Sequence, residues 1–185
     1  MNVTRWIGLM VAALVFLTDQ LSKLYVVSTL GVNHDLVREA LKSGFPPDSP
    51  SQILLPIFDL RFVPNIGVSL GLMQASSDAM RWGLVALTAA IAGGVVWWML
   101  RERKLGDIVA LGMVLGGALG NILDRTRLGY VVDFADLHFG QWRPFLVFNI
   151  ADAAITIGVL VLLVRALFLR EKPSADQDPV ENINA

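Results

Sequence analysis

Four stretches of this chain are long and apolar enough to cross a bilayer: about residues 6–27, 82–100, 106–123 and 145–169. Crossing the hydrocarbon takes roughly 20 apolar residues. Within it every backbone N–H and C=O must be satisfied inside the segment, so each stretch is expected to be a helix. Only Arg101 to Lys104 separates the second stretch from the third, which makes them a tight helical hairpin. The expected fold is an all-α membrane protein, a four-transmembrane-helix bundle.

The first stretch begins like a cleavable leader, with Arg5 and the apolar run Trp6 to Leu17. No small-residue cleavage site follows. The pattern continues through Asp19, Gln20 and Lys23 to Val27, so it is read as a retained span. Residues 1–170 form one integral membrane domain, with loops 28–81 and 124–144 on the same side. The polar segment 171–185, with Pro173 and Pro179, is read as a disordered tail. Arg101, Arg103 and Lys104, with Arg5, Arg165, Arg170 and Lys172, place both termini and the short hairpin loop in the cytoplasm. Arg125, Arg127 and Arg143, in the loop opposite, weigh against that orientation.

The loops carry patterns of their own. Leu36, Val37, Ala40 and Leu41 recur at helical spacing and predict a short amphipathic helix. Phe58, Leu60 and Phe62 alternate with Asp59 and Arg61, predicting a half-buried strand that ends at Pro64. Val131 to Phe134 reads as a second short strand, so a small sheet on the outer membrane face fits both.

Composition excludes several function classes. A net charge of −1 offers no basic field for nucleic acid. The absence of cysteine removes a disulfide framework, a thiolate nucleophile and Cys-ligated zinc. His34 and His138 have no ligand-spaced partners, and no HExxH motif exists. No metal and no cofactor are expected.

Charges in a bilayer cost about 2.5–3.5 kcal/mol each on insertion scales, so those in the spans call for an account. Asp19 and Lys23 lie four apart and can pair on one helix face. The plain reading is a self-neutralised interfacial pair with Lys23 snorkelling. Asn121 and Asp124 lie three apart at the end of the third span, behind a small-residue stripe at Gly112, Gly116 and Gly120. Here the plain reading pairs Asp124 with Arg125 or Arg127. Asn149 and Asp152, again three apart, open the fourth span, where Asp152 could simply cap the helix. The third and fourth spans are antiparallel, so Asp124 and Asp152 are expected to face each other at one depth. Two facing carboxylates share a proton and titrate as a unit. Such a dyad can hydrolyse a peptide with water alone, one member taking a proton and the other giving one. Asp133 is a third carboxylate nearby and could replace either member. Asp107 is expected to cap the third span, and Asp136 and His138 read as loop polar residues. Gly67-Val-Ser69-Leu-Gly71 matches the nucleophile elbow G-x-S-x-G, but the chain has no room for the α/β sheet that gives that motif meaning. Ser69 with Lys23 as base is the serine-hydrolase alternative.

Five motifs together resemble lipoprotein signal peptidase, also called signal peptidase II. They are Asp19-Gln-Leu-Ser-Lys23, Asn65-Ile-Gly67 with Gly71, Gly120-Asn121-x-x-Asp124-Arg125, Val131-Val132-Asp133-Phe134 and Phe148-Asn149-x-Ala151-Asp152. The resemblance implies an aspartic endopeptidase of the bacterial inner membrane, with periplasmic loops at 28–81 and 124–144 forming a small periplasmic β-sheet and a short amphipathic periplasmic helix. Its substrates would be diacylglyceryl-prolipoproteins, cut just before the lipidated Cys, with membrane lipid around it, globomycin-type inhibitors in the site and no nucleic acid partner. A monomer is expected. Carried over by position, Asp124 and Asp152 form the catalytic dyad, oriented by Asn121 and Asn149. Asp19, Lys23, Asn65, Gly67, Arg125 and Asp133 bind substrate or support the pocket. The chain departs from the family where Asn-Thr-Gly-Ala-Ala-Phe is replaced by Asn65-Ile-Gly-Val-Ser-Leu70. Two rival classes remain: a proton-coupled transporter, which should hold its carboxylates at midplane and show repeated halves, and a non-catalytic scaffold assembled on the glycine stripe.

Overall fold

The computed structural model describes residues 3–44, 47–67 and 78–168. Four helices match the four apolar stretches: α1 (Val3–Thr29), α3 (Asp78–Arg101), α4 (Leu105–Arg127) and α5 (Ile150–Phe168). Between α1 and α3 lie the short helix α2 (His34–Ser43) and strands β1 (Ser51–Leu55) and β2 (Phe58–Asn65); β3 (Val131–Leu137) joins α4 to α5.

Helix α4 is the axis of the bundle. Of its most apolar window 61% is buried, against 11% for α3 and 17% for α5. The cause is its glycines. A Cβ on Gly112 would lie 2.5 Å from the carbonyl oxygen of Gly8, and one on Gly116 would lie 2.4 Å from that of Ala12. On another face, a Cβ on Gly117 would lie 2.5 Å from the carbonyl of Ala151. One helix therefore meets α1 and α5 at backbone distance, which is how small residues substitute for a hydrophobic driving force in lipid. The large side chains of α1, α3 and α5 point outward instead, among them Leu14, Leu87 and Leu163. At both ends of α3 an arginine stacks on a tryptophan, Arg81 on Trp82 at 5.0 Å and Arg101 on Trp97 at 4.3 Å. Such pairs suit the bilayer interface.

At one end of the bundle sits an antiparallel sheet of order β1-β2-β3. Its buried side packs Leu60, Phe134 and Ala135 onto Val26 of α1. Helix α2 covers Phe62, Tyr130 and Val132 with Val37. Asn33 caps α2 by accepting from the backbone of Asp35 and Leu36, and Gly44 closes it at φ 77°.

Several expectations shift here. Pro64 lies inside β2 rather than ending it, because β1 pairs only as far as Arg61 and leaves Pro64 with a neighbour on one side. β3 runs on to Leu137, and β1 had no period-2 signal because all five of its residues are exposed. Residues 145–149 are not helical; Phe148 bridges to Ala135, and α5 begins only at Ile150. The tail 171–185, Ser69 and Gly71 lie outside the described residues.

Candidate active site

The sheet end of the bundle gathers four carboxylates. Asp19 is fully buried on α1. One of its oxygens accepts the backbone N–H of Ala151 at 3.0 Å, and the other lies 2.8 Å from Lys23 Nζ. Lys23 reaches on to Asp124 Oδ2 at 2.8 Å and donates to Asn121 Oδ1 at 3.3 Å. Gln20 donates to Asp124 Oδ1 at 3.0 Å, and the N–H of Val132 donates to Asp124 Oδ2 at 3.2 Å. Both oxygens of Asp124 are thus engaged, and its cationic partner is Lys23 rather than Arg125 or Arg127.

Asp152 sits in a different environment. With Asn149 it forms a reciprocal cap at the start of α5: Asn149 Oδ1 accepts from the Asp152 N–H at 2.9 Å, and Asp152 Oδ2 from the Asn149 N–H at 3.3 Å. The capping reading of Asp152 therefore holds, but one oxygen remains for other work. That oxygen accepts from Asn121 Nδ2 at 2.9 Å. Among the described residues no ammonium pairs with it.

Asp133 on β3 is joined to the same residue. Asn149 Nδ2 donates to Asp133 Oδ1 at 2.7 Å, and Asn65 Nδ2 donates to Asp133 Oδ2 at 3.0 Å. Asn65 is held by Gly67, whose N–H donates to Asn65 Oδ1 at 2.8 Å. Gly67 is favoured by its φ of 84°, a backbone conformation that other residues rarely adopt. Burial, followed by the negative charge of Asp152, pushes the Asp133 carboxyl up to about 7. The guanidinium of Arg125 lies in the field of Asp152, Asp133 and Asp124. Its buried Nε has no hydrogen-bond partner among the described residues.

The predicted residues Asp19, Lys23, Asn65, Gly67, Asn121, Arg125, Asp133, Asn149 and Asp152 thus converge on one site, with Asp124 at its back. The link from Asp124 to Asp152 runs through Lys23 and Asn121; no direct hydrogen bond joins the two carboxylates among the described residues. Gln20 was not singled out for the site, although a polar residue beside Asp19 within an apolar stretch was a usable signal. No group of three His, Cys, Asp or Glu side chains among the described residues is arranged to hold a metal.

Two polar residues have other roles than expected, and His138 lies in a loop as expected. Asp107 makes no cap; Lys104 occupies the N-cap position of α4, and Asp107 pairs with Arg165 of α5. Asp136 is a fully buried strand residue paired with Arg143 and, at 3.6 Å, with Arg61. His138 lies 3.3 Å from Asp59. The Asp136–Arg143 pair ties the segment before α5 to the sheet.

Comparison with known proteins adds an independent finding. The model of the family described as Signal peptidase (SPase) II matches residues 11–168. A lipoprotein signal peptidase of Rhizorhabdus wittichii is 52% identical over 181 residues, covering 98% of this chain and 95% of its own. That of Sphingopyxis alaskensis is 48% identical over 174 residues, covering 93% and 92%. A bacterial membrane enzyme solved by the in meso method at 1.9 Å superposes with a TM-score of 0.67 at 26% identity, covering 89% of this chain and 94% of that one.

Proposed function

The chain belongs to the signal peptidase II family and is an aspartic peptidase that cleaves signal peptides from prolipoproteins; we propose that Asp133 and Asp152 are its working dyad, with Asp124 a support. The observation that carries this is the position of Asn149, which donates to Asp133 while capping the helix start that holds Asp152. The reassignment from Asp124 rests on its occupancy. Both oxygens of Asp124 are already taken, Oδ2 by Lys23 Nζ at 2.8 Å and by the Val132 N–H, and Oδ1 by Gln20.

The chemistry follows from the pair. Asp133, pushed up to about 7, keeps its proton in about half of the molecules at neutral pH, and that is the form that acts as the acid. Asp152 takes a proton from water as the water oxygen attacks the scissile carbonyl carbon, and Asp133 gives its proton to the carbonyl oxygen. The resulting gem-diol collapses: Asp152 passes its proton to the leaving amine, the C–N bond breaks, and a gem-diol proton returns to Asp133. Arg125 Nε supplies a donor for the substrate backbone.

The substrates are read as diacylglyceryl-prolipoproteins cut just before the lipidated Cys. The enzyme would sit in the bacterial inner membrane as a monomer with both termini cytoplasmic and the sheet end periplasmic. Of the three arginines that argued against this orientation, Arg143 is locally paired, with buried Asp136, and Arg125 and Arg127 belong to the last turn of α4. A dyad at the lipid interface meets a lipid-anchored bond without drawing it through the bilayer, and a globomycin-type inhibitor would compete there. The test is cleavage of a diacylglyceryl-modified prolipoprotein, followed by gel shift, with Asp133→Asn and Asp152→Asn alongside. Both variants should fold and fail to cut; turnover at the wild-type rate by either removes it from the dyad.

A further inference from the structure

Tyr130 occupies the point where the chain leaves α4 and enters β3. Gly129, at φ 92°, turns it there. The Tyr130 ring is fully buried, meets Phe62 edge-on at 6.2 Å and packs beside Val37 and Val132. Its hydroxyl lies 2.6 Å from Nδ1 of His34, the first residue of α2. A buried tyrosine hydroxyl needs some partner. What distinguishes this one is where the partner comes from and what the strand carries next. His34 belongs to a separate short helix, and Asp133 follows Tyr130 by three residues.

The strand start is also held by the sheet, where Val131, Val132 and Asp133 pair with Asn65, Pro64 and Val63, and by Asn149, whose Nδ2 donates to the Val132 carbonyl at 3.4 Å. Val132 donates its N–H to Asp124. Behind Val132 lies a cavity of about 160 Å³, lined by His34, Lys23, Asp124 and Val132 among others. The His34–Tyr130 hydrogen bond adds to these contacts a directional polar tie between α2 and the strand start. Burial pushes the Tyr130 hydroxyl up to about 12 and draws His34 below its ordinary value. At neutral pH the two therefore meet as an uncharged donor and an uncharged acceptor.

We propose that His34 and Tyr130 are positioning residues: their hydrogen bond locks α2 onto the start of β3 and so sets the placement of Asp133 against Asp152. The inference rests on the reading of Asp133 as a dyad member. It makes the amphipathic helix part of the catalytic framework rather than a separate cover.

The experiment is a double-mutant cycle on the full chain in detergent with a diacylglyceryl-modified prolipoprotein. Tyr130→Phe keeps the ring and its packing; His34→Ala removes the acceptor; His34→Asn places an amide near the former Nδ1. Tyr130→Phe and His34→Ala should each lower kcat about three- to tenfold, the worth of one hydrogen bond, with KM within about twofold. The double variant should be no worse than either single one, and His34→Asn should restore most of the loss. A lower melting temperature with unchanged kcat in Tyr130→Phe would reduce the pair to a packing contact and overturn the proposal. So would additive losses. Asp133→Asn is measured in the same series: if it cuts normally, the dyad reading fails first and the positioning role falls with it.

Discussion

Helices α4 and α5 carry charged pairs at both ends, and the two ends are built differently. At the hairpin end Asp107 meets Arg165 one to one, with a quarter of the arginine side chain exposed. At the sheet end Asp19, Asp124, Asp133 and Asp152 face Lys23 and Arg125, and the amides of Gln20, Asn65, Asn121 and Asn149 make up the difference. A matched pair can rest at its minimum. A cluster with more carboxylates than cations keeps one group short of a counterion, and here that shortage falls on Asp133 and Asp152. The comparison teaches that burying charge is not by itself the signature of chemistry; leaving a carboxylate with amides in place of a cation is.

The largest effect should come from the unmatched side. Asp152→Asn and Asp133→Asn should each lower kcat by about a thousandfold or more, whereas Asp107→Asn, at the matched end, should stay within twofold. Initial rates on one substrate preparation check all three.

Next comes the cation that balances the back of the site. Lys23→Met leaves Asp19 and Asp124 buried without their ammonium, and breaking a buried pair in this way costs about 3–5 kcal/mol. Thermal unfolding in detergent should show a large loss. An unchanged melting temperature would mean that the network is not held by charge.

The two ends can also be compared through glycine. A Cβ on Gly120 would lie 2.5 Å from Asp19 Oδ2, a carboxylate fixed by Lys23 and the Ala151 amide. A Cβ on Gly106 would lie 2.7 Å from the guanidinium of Arg165, the far end of a flexible side chain. Gly120→Ala should therefore reduce activity about tenfold, since displacing Asp19 shifts the start of α5, and Gly106→Ala should be nearly silent. Equal effects would erase the distinction between the ends.

The smallest expected signal is in pH. Asp133 titrates near 7 in the folded protein against 3.8 for an ordinary aspartate, so the folded state holds a proton that the unfolded chain has lost. Between those values stability due to this group falls as pH rises, and the form able to protonate the carbonyl is lost through pH 7. The kcat profile should decline on its alkaline side there, while Asp107→Asn keeps the same limb.

Much of this was legible in the sequence. The four spans and the α3–α4 hairpin followed from apolar length, and the glycine stripe pointed to close helix packing on α4. Asp19 and Lys23 pair as their spacing required. The proposed dyad departs from the symmetry of two Asp/Asn sets, Asn121 with Asp124 and Asn149 with Asp152. Spacing placed both on helix faces but could not show that Lys23 crosses from α1 to Asp124. Asp133 was harder to value because a strand residue gains its setting only from contacts distant in sequence, Asn65 and Asn149. The late start of α5 was hidden for the same reason: apolar residues 145–148 read as helix until a bridge to Ala135 holds Phe148 extended.

The most direct test of the central claim is the initial rate of folded Asp133→Asn on a diacylglyceryl-modified prolipoprotein, beside Asp124→Asn. We expect no turnover from Asp133→Asn, and from Asp124→Asn a loss chiefly of thermal stability with residual cutting. Wild-type turnover from Asp133→Asn together with a dead but fully stable Asp124→Asn would contradict the account and return the dyad to Asp124 and Asp152.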